Sequence, residues 1–242
     1  MHSIIEPPLA REGFEAELLA AVEGFRPEDT RFYRMLASGR CPPPVLLRYA
    51  RSTYLSAKLF CASIAELVEK APDRDARLTL LENLLEEEGI LLRADRGLVL
   101  RPETRHPALA LRFLKACGGG EEDEDARDGD GLHATGEGRR MLAEDRWLEA
   151  VSFLLVGQEL KFAYAAGCFF ELLRRNGLEE RDLAFFAVHV EADCAHGREA
   201  LDLVLDRALT RREQEACLAA AAAGARSWFL MHGGGASDRR AA

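Results

Sequence analysis

The sequence predicts an all-α fold. Apolar residues recur at helical spacing in one segment after another, no segment sustains the apolar–polar alternation of a strand, and the segments are separated by the glycines and prolines that stop and restart helices. No internal repeat is visible, so the expectation is one bundle of about seven to eight helices. With 242 residues the chain can fill a single large core, and it reads as one domain over 1–242.

Residues 10–24 place Phe14, Leu18, Leu19 and Val22 on one stripe. A short helix over about 28–38 carries Phe32 and Tyr33 and ends near Gly39. Cys41-Pro42-Pro43-Pro44 stops the chain, and Pro44 suits the first turn of a long helix, about 44–71, whose several apolar faces make it central. The next helix, about 73–89, closes on Gly89. Two apolar lines run down it, Leu80 and Leu84 toward Glu87, or Leu81 and Leu85 toward Glu88, and periodicity alone does not choose between them. A connection over 90–105 leads to His106, just before an amphipathic helix from Pro107 to Cys117.

The acidic, glycine-rich stretch that follows has no apolar period and reads as a flexible insertion at about 118–136. A helix over about 137–175, broken near Asp145, is nearly apolar in its second half, yet Glu159 lies there among Leu155, Val156, Phe162 and Ala163. After Asn176-Gly177 come helices over about 179–208 and 211–231, then a flexible tail from about 232.

Hydrophobic residues at 48%, charged residues at 30% and a net charge of −9 describe a folded globular protein with no basic surface for nucleic acid. Glu, Lys or Arg interrupts the apolar stretches before the ~18 residues a membrane helix needs, so no membrane partner is expected. The N-terminus has no signal-peptide pattern, and the six cysteines are dispersed without a CxxC pair, as suits reduced thiols in a cytoplasmic protein.

His189, Asp193 and His196 stand at i, i+4 and i+7, within about 60° of one another on a helix whose face is otherwise apolar. Two imidazoles and a carboxylate buried together are costly unless something pairs them, and a divalent cation does so. Glu87 or Glu88, His106 and Glu159 are stranded on apolar faces in the same way. Each has a simpler explanation, since a histidine can cap a helix and Glu86-Glu87-Glu88 can be a solvated last turn. Three negative charges at the negative end of a helix dipole are nevertheless unfavourable without a cation. Together these groups are the ligand mixture of a carboxylate-bridged di-iron or di-manganese site, and without clustered cysteines a zinc or iron–sulfur site does not fit.

Asn83-Leu-Leu-Glu-Glu87-Glu-Gly89, His106-Pro107-Ala-Leu, the internal Glu159 and His189-x3-Asp193-x2-His196 resemble the heme-oxygenase-like di-iron oxidases, which share a scaffold with thiaminase II (TenA) and pyrroloquinoline-quinone synthase (PqqC). The resemblance covers about residues 25–205 and implies a heme-oxygenase-like bundle. It places Glu87 at the family's first ligand position, with His106, Glu159, His189, Asp193 and His196 completing the ligands for two Fe(II) per chain, manganese being the other metal that suits them. It also implies a homodimer and an iron-dependent oxidoreductase that uses O₂ to oxidise a small-molecule substrate in a biosynthetic pathway, by amine N-oxygenation or oxidative C–C cleavage. Tyr33 is the candidate catalytic residue, because it matches the tyrosine from which the chlamydial death-domain-associating protein makes its own product. That protein's lysine ten residues after the internal glutamate is Phe169 here, which argues against self-sacrificing p-aminobenzoate formation.

Tyr33, Tyr54, Phe162 and Phe186 are expected to wall the pocket, with Arg48 or Arg51 the first candidates to hold a substrate carboxylate. Two other readings compete: a metal-independent TenA/PqqC-like enzyme acting on an aromatic or heterocyclic substrate, and a non-catalytic interaction module using the acidic loop. No cysteine just before Glu159 supplies a thiaminase nucleophile.

Overall fold

Proline starts a 27-residue helix of the bundle. The computed structural model describes residues 6–93, 97–121 and 129–233, without the side chains of 92, 93, 129–135, 191–195 and 228–233. Pro43 and Pro44 occupy the first turn of α3 (Pro43–Glu69), where a missing N–H breaks no hydrogen bond. Before it lie α1 (Arg11–Glu23) and α2 (Arg31–Ala37), the latter capped by Thr30, whose Oγ1 accepts from the Tyr33 N–H at 2.9 Å. After it comes α4 (Arg74–Glu87), capped by Asp73, which accepts from the Ala76 N–H at 2.8 Å.

Residues 90–105 are more than a connection. They contain a two-stranded antiparallel hairpin, β1 (Ile90–Arg93) and β2 (Gly97–Leu100), running from Ile90 opposite Leu100 to Arg93 opposite Gly97. It begins at Gly89, whose φ of +68° closes α4 and whose Cβ, if present, would lie 2.4 Å from the Arg101 carbonyl oxygen. The Arg101 N–H donates to the Gly89 carbonyl at 2.7 Å, so the chain returns to the end of α4 before entering α5 (His106–Ala116). Glu87 and His106 thereby become neighbours.

The second half of the chain holds α6 (Gly129–Ala143), α7 (Trp147–Val151), a π-helical segment (Ser152–Glu159), α8 (Leu160–Arg175), α9 (Ala184–Arg207) and α10 (Arg211–Gly233). The ten α-helices among the described residues exceed the seven to eight expected. Asp145, with φ 57°, separates α6 from α7, and the π segment divides the rest of the run over 147–175. α6 also begins at Gly129, ahead of the expected start near 137, because its first turns carry no apolar period to announce them.

Trp147–Arg175 is long and apolar enough by composition to span a membrane, which the sequence reading did not anticipate, but 78% of its most apolar window is buried inside the bundle. It is the core helix. α10 lies against its π segment at very short range: a Cβ on Gly224 would fall 2.1 Å from the Phe153 carbonyl oxygen, and one on Gly157 2.6 Å from that of Ala221. One core cluster, mostly aliphatic, joins α1, α6, α10 and the π segment, and a second, rich in rings, joins α2, α5 and α8; α3 and α9 contribute to both.

Candidate metal centre

The last turn of α4 ends in Glu86, Glu87 and Glu88, three carboxylates at the negative end of the helix dipole. Successive residues point about 100° apart around a helix, so each glutamate meets a different cationic or basic partner. Glu86 Oε2 lies 3.2 Å from His196 Nε2, Glu87 Oε1 lies 2.7 Å from His106 Nδ1, and Glu88 Oε2 pairs with the Arg105 guanidinium at 2.7 Å. Glu87 is 2% exposed, which settles on structural grounds which glutamate continues the buried stripe. One turn earlier, Asn83 donates from Nδ2 to both oxygens of Glu159, at 3.0 and 3.3 Å.

Glu87, His106 and His189 form one buried group, with a ligand atom of each within 4.8 Å of the others. His106 Nδ1 is buried and, although it lies 2.7 Å from Glu87, makes no hydrogen bond of acceptable geometry among the described residues. Two donors of one cation at ~2.1 Å and a right angle would stand about 3 Å apart, so this close, non-hydrogen-bonded approach fits ligands converging on a shared ion. His189 is oriented by its own helix: Nδ1 donates to the Phe185 carbonyl one turn back, which leaves Nε2 as the nitrogen able to bind. Phe185 and Phe162 stand against the imidazole with ring centroids at 4.3 and 4.7 Å, and the His106 ring lies at 4.4 Å. From α3, the buried Cys61 thiol reaches Glu87 Oε2 at 3.6 Å.

His196 and Glu159 form the neighbouring group. His196 Nδ1 lies 3.5 Å from Glu159 Oε1 and is buried without a hydrogen-bond partner among the described residues. Asn83 Oδ1, beside them, is likewise buried and unsatisfied. Buried polar atoms without partners are rare in folded proteins and call for an explanation such as an ion, a ligand or a water. The donors here are carboxylate oxygens and imidazole nitrogens, a set that suits iron or manganese. Asp193 lies on α9, and its side chain is outside the described residues.

The protonation states follow the same division. Burial, and then the nearby His106, hold His189 well below the usual imidazole range, so it is neutral and fit to donate a lone pair. Burial also lowers His196, but the carboxylates of Glu159 and Glu86 outweigh it and raise the imidazole to about 11. His106 is raised because Glu87 overcomes a similar burial penalty. Glu159 is raised by burial, against the opposing pull of His196. Without a cation, protonated imidazoles offset the buried carboxylate charge; a metal would take the protons' place.

The other expected site residues are dispersed. The Tyr33 hydroxyl lies 3.3 Å from Cys168 Sγ, which with burial raises it to about 12, and its ring meets Phe169 edge-on at 6.2 Å. None of these contacts involves the carboxylate and imidazole groups. Tyr54 is buried under Lys58, Phe186 packs on Phe113, and Arg48 is exposed while Arg51 is half-buried. Of the expected pocket walls, Phe162 stands against a histidine of the site. Sequence reading singled out neither Glu86 nor Cys61 as a site residue, and gave Asn83 no role beyond its place in the motif. For Glu86 and Asn83 the usable signal is their spacing from Glu87; for Cys61 the spacing from Ala57 and Ile64 marks a buried face but no site.

Comparison with known proteins supplies independent information. A family model described as iron-containing redox enzyme matches residues 47–229. No curated protein matches the chain. Among solved structures, a TenA homologue from Pseudomonas syringae pv. tomato superposes with a TM-score of 0.71 at 14% identity, covering 91% of this chain and 90% of its own. A domain of unknown function with a heme oxygenase-like fold from Shewanella denitrificans gives 0.62 at 15% identity, covering 93% and 91%. A TenA family transcription regulator from Silicibacter sp. gives 0.60 at 16% identity, covering 93% and 97%. At these identities the likeness concerns the fold, which is the heme-oxygenase-like all-α bundle.

Proposed function

The chain belongs to the iron-containing redox enzyme family with the heme-oxygenase-like fold, and from that premise we propose that it is a non-heme di-iron oxidase that uses O₂ to oxidise a small metabolite. The observation that carries this reading is the buried convergence of Glu87, His106 and His189, with Glu159 and His196 beside them. Glu87, His106 and His189 would hold one ion, and Glu159 and His196, with Asp193 from the same helix, the other. Bound there, ferrous iron supplies electrons and open coordination positions for O₂.

The chain's own residues prepare that site. The Phe185 carbonyl sets the tautomer of His189, the Cys61 thiol donates to Glu87 Oε2, and Asn83 orients Glu159. Phe162 and Phe185 line the His189 side with rings that exclude water. Amine N-oxygenation and oxidative C–C cleavage are the reaction types proposed for the substrate, and Tyr33 is the candidate catalytic residue.

A metal-independent enzyme on the same scaffold would use the Glu87–His106 pair, 2.7 Å apart, as its acid and base. Anaerobic reconstitution with Fe(II) separates the two. The di-iron reading expects about two irons per chain, the complement of such carboxylate–histidine sets, and a His189→Ala variant that loses at least one of them. Iron uptake by His189→Ala equal to that of the wild type would sink the assignment, and a chain that takes up no iron would favour the acid–base enzyme.

A further inference from the structure

A histidine that binds a metal through one nitrogen needs an acceptor for the N–H on the other, and that acceptor sets which nitrogen faces the ion. His189 has the Phe185 carbonyl in this role. His196, two turns further along α9, stands elsewhere: its Nδ1 is the buried atom 3.5 Å from Glu159, unsatisfied among the described residues, and its Nε2 points the other way, to Glu86 Oε2 at 3.2 Å. Glu86 lies outside the six expected ligands. Its side chain is 45% exposed, so the carboxylate keeps part of its hydration while touching an imidazole that is 7% exposed.

We propose that Glu86 is a positioning residue for the second cation: it accepts the Nε2–H of His196 and so commits Nδ1, beside Glu159, to the metal. The inference rests on the di-iron reading above. It gives the last turn of α4 a double duty, with Glu87 offering an oxygen to one ion and Glu86 orienting a ligand of the other. The opposite possibility is that Glu86 competes with the ion for His196. The two differ in sign, since a positioning carboxylate strengthens second-ion binding and a competing one weakens it.

Anaerobic titration of the full chain with Co(II), followed by calorimetry and by the d–d absorption bands, reads each site without turnover. The expected result is two Co(II) per wild-type chain, and for Glu86→Ala an unchanged first affinity with the second weakened by about 10–100-fold, the usual cost of losing such a partner. The absorption of the second ion should also change, which a general loss of stability would not produce. Glu86→Gln keeps an acceptor of lower basicity and should show a smaller loss. Second-site affinity in Glu86→Ala equal to or tighter than that of the wild type overturns the proposal while leaving the di-iron reading intact. Fewer than two Co(II) in the wild type overturns both. If the alanine variant does not fold, an unchanged second affinity in Glu86→Gln overturns the proposal by itself.

Discussion

The two ends of the bundle are packed from different materials. Around α1, α6, α10 and the π segment the buried core is mainly leucine, valine and alanine, with Ile64, Met141, Cys217 and two phenylalanines, whereas around α2, α5 and α8 it holds eight aromatic rings. Small aliphatic residues allow α10 to approach the π segment to the limit set by Gly157 and Gly224. Rings keep helices apart and pack edge to face, as Phe113 does on Phe186. The polar groups lie where the two materials meet. Along α3, Cys61 separates Ala57 of the aromatic core from Ile64 of the aliphatic one; from the π segment into α8, Glu159 separates Val156 from Phe162; along α9, His189 and His196 separate Phe186 from Ala200. The candidate centre is thus a polar layer between two dry cores, each holding one side of it in place.

That contrast can be broken from either side. The largest expected effect is in the aromatic core. Phe169→Ala removes a fully buried ring that touches Phe32, Tyr33 and Tyr49, and should cost about 3–5 kcal/mol in denaturant unfolding while leaving metal stoichiometry intact. Loss of bound metal in that variant would mean that the aromatic end, too, sets the ligand geometry. Gly224→Ala acts on the aliphatic end. Its Cβ meets backbone, which cannot swing aside, so about 1–3 kcal/mol of overpacking is expected. Because the displaced segment ends at Glu159, second-ion affinity should fall with it, and a variant destabilised but unchanged in metal binding would uncouple the π segment from the site. The smallest effect is outside both cores. Glu88→Ala removes a half-exposed ion pair with Arg105 and should change stability by less than about 1 kcal/mol, with no change in bound metal, although it neighbours Glu87.

Much of this arrangement is legible in the chain itself. A 3.6-residue period reports the direction in which a side chain leaves its own helix, so His189 and His196 on one apolar face, Glu159 inside an apolar run and the break near Asp145 all follow from spacing. The hairpin was less legible: Ile90-Leu91-Leu92 and Gly97-Leu98-Val99-Leu100 are short apolar runs that do not alternate, and Leu98 and Leu100 remain exposed. Glu87 against Glu88 was undecidable by periodicity because both lines are apolar until the last turn. Only the return of the chain from Arg101 to Gly89 brings His106 to Glu87 and turns Glu88 out to Arg105.

By itself, then, the sequence determined that the protein is an all-α bundle and that several carboxylates and imidazoles point away from water on separate helices. Only the tertiary structure decided which of them meet, and that Glu86, Asn83 and Cys61 lie against them. The physical reason is that burial stripes are a property of one helix, whereas a hydrogen bond or a shared ion needs two groups within about 3 Å, and that depends on how helices distant in sequence are packed.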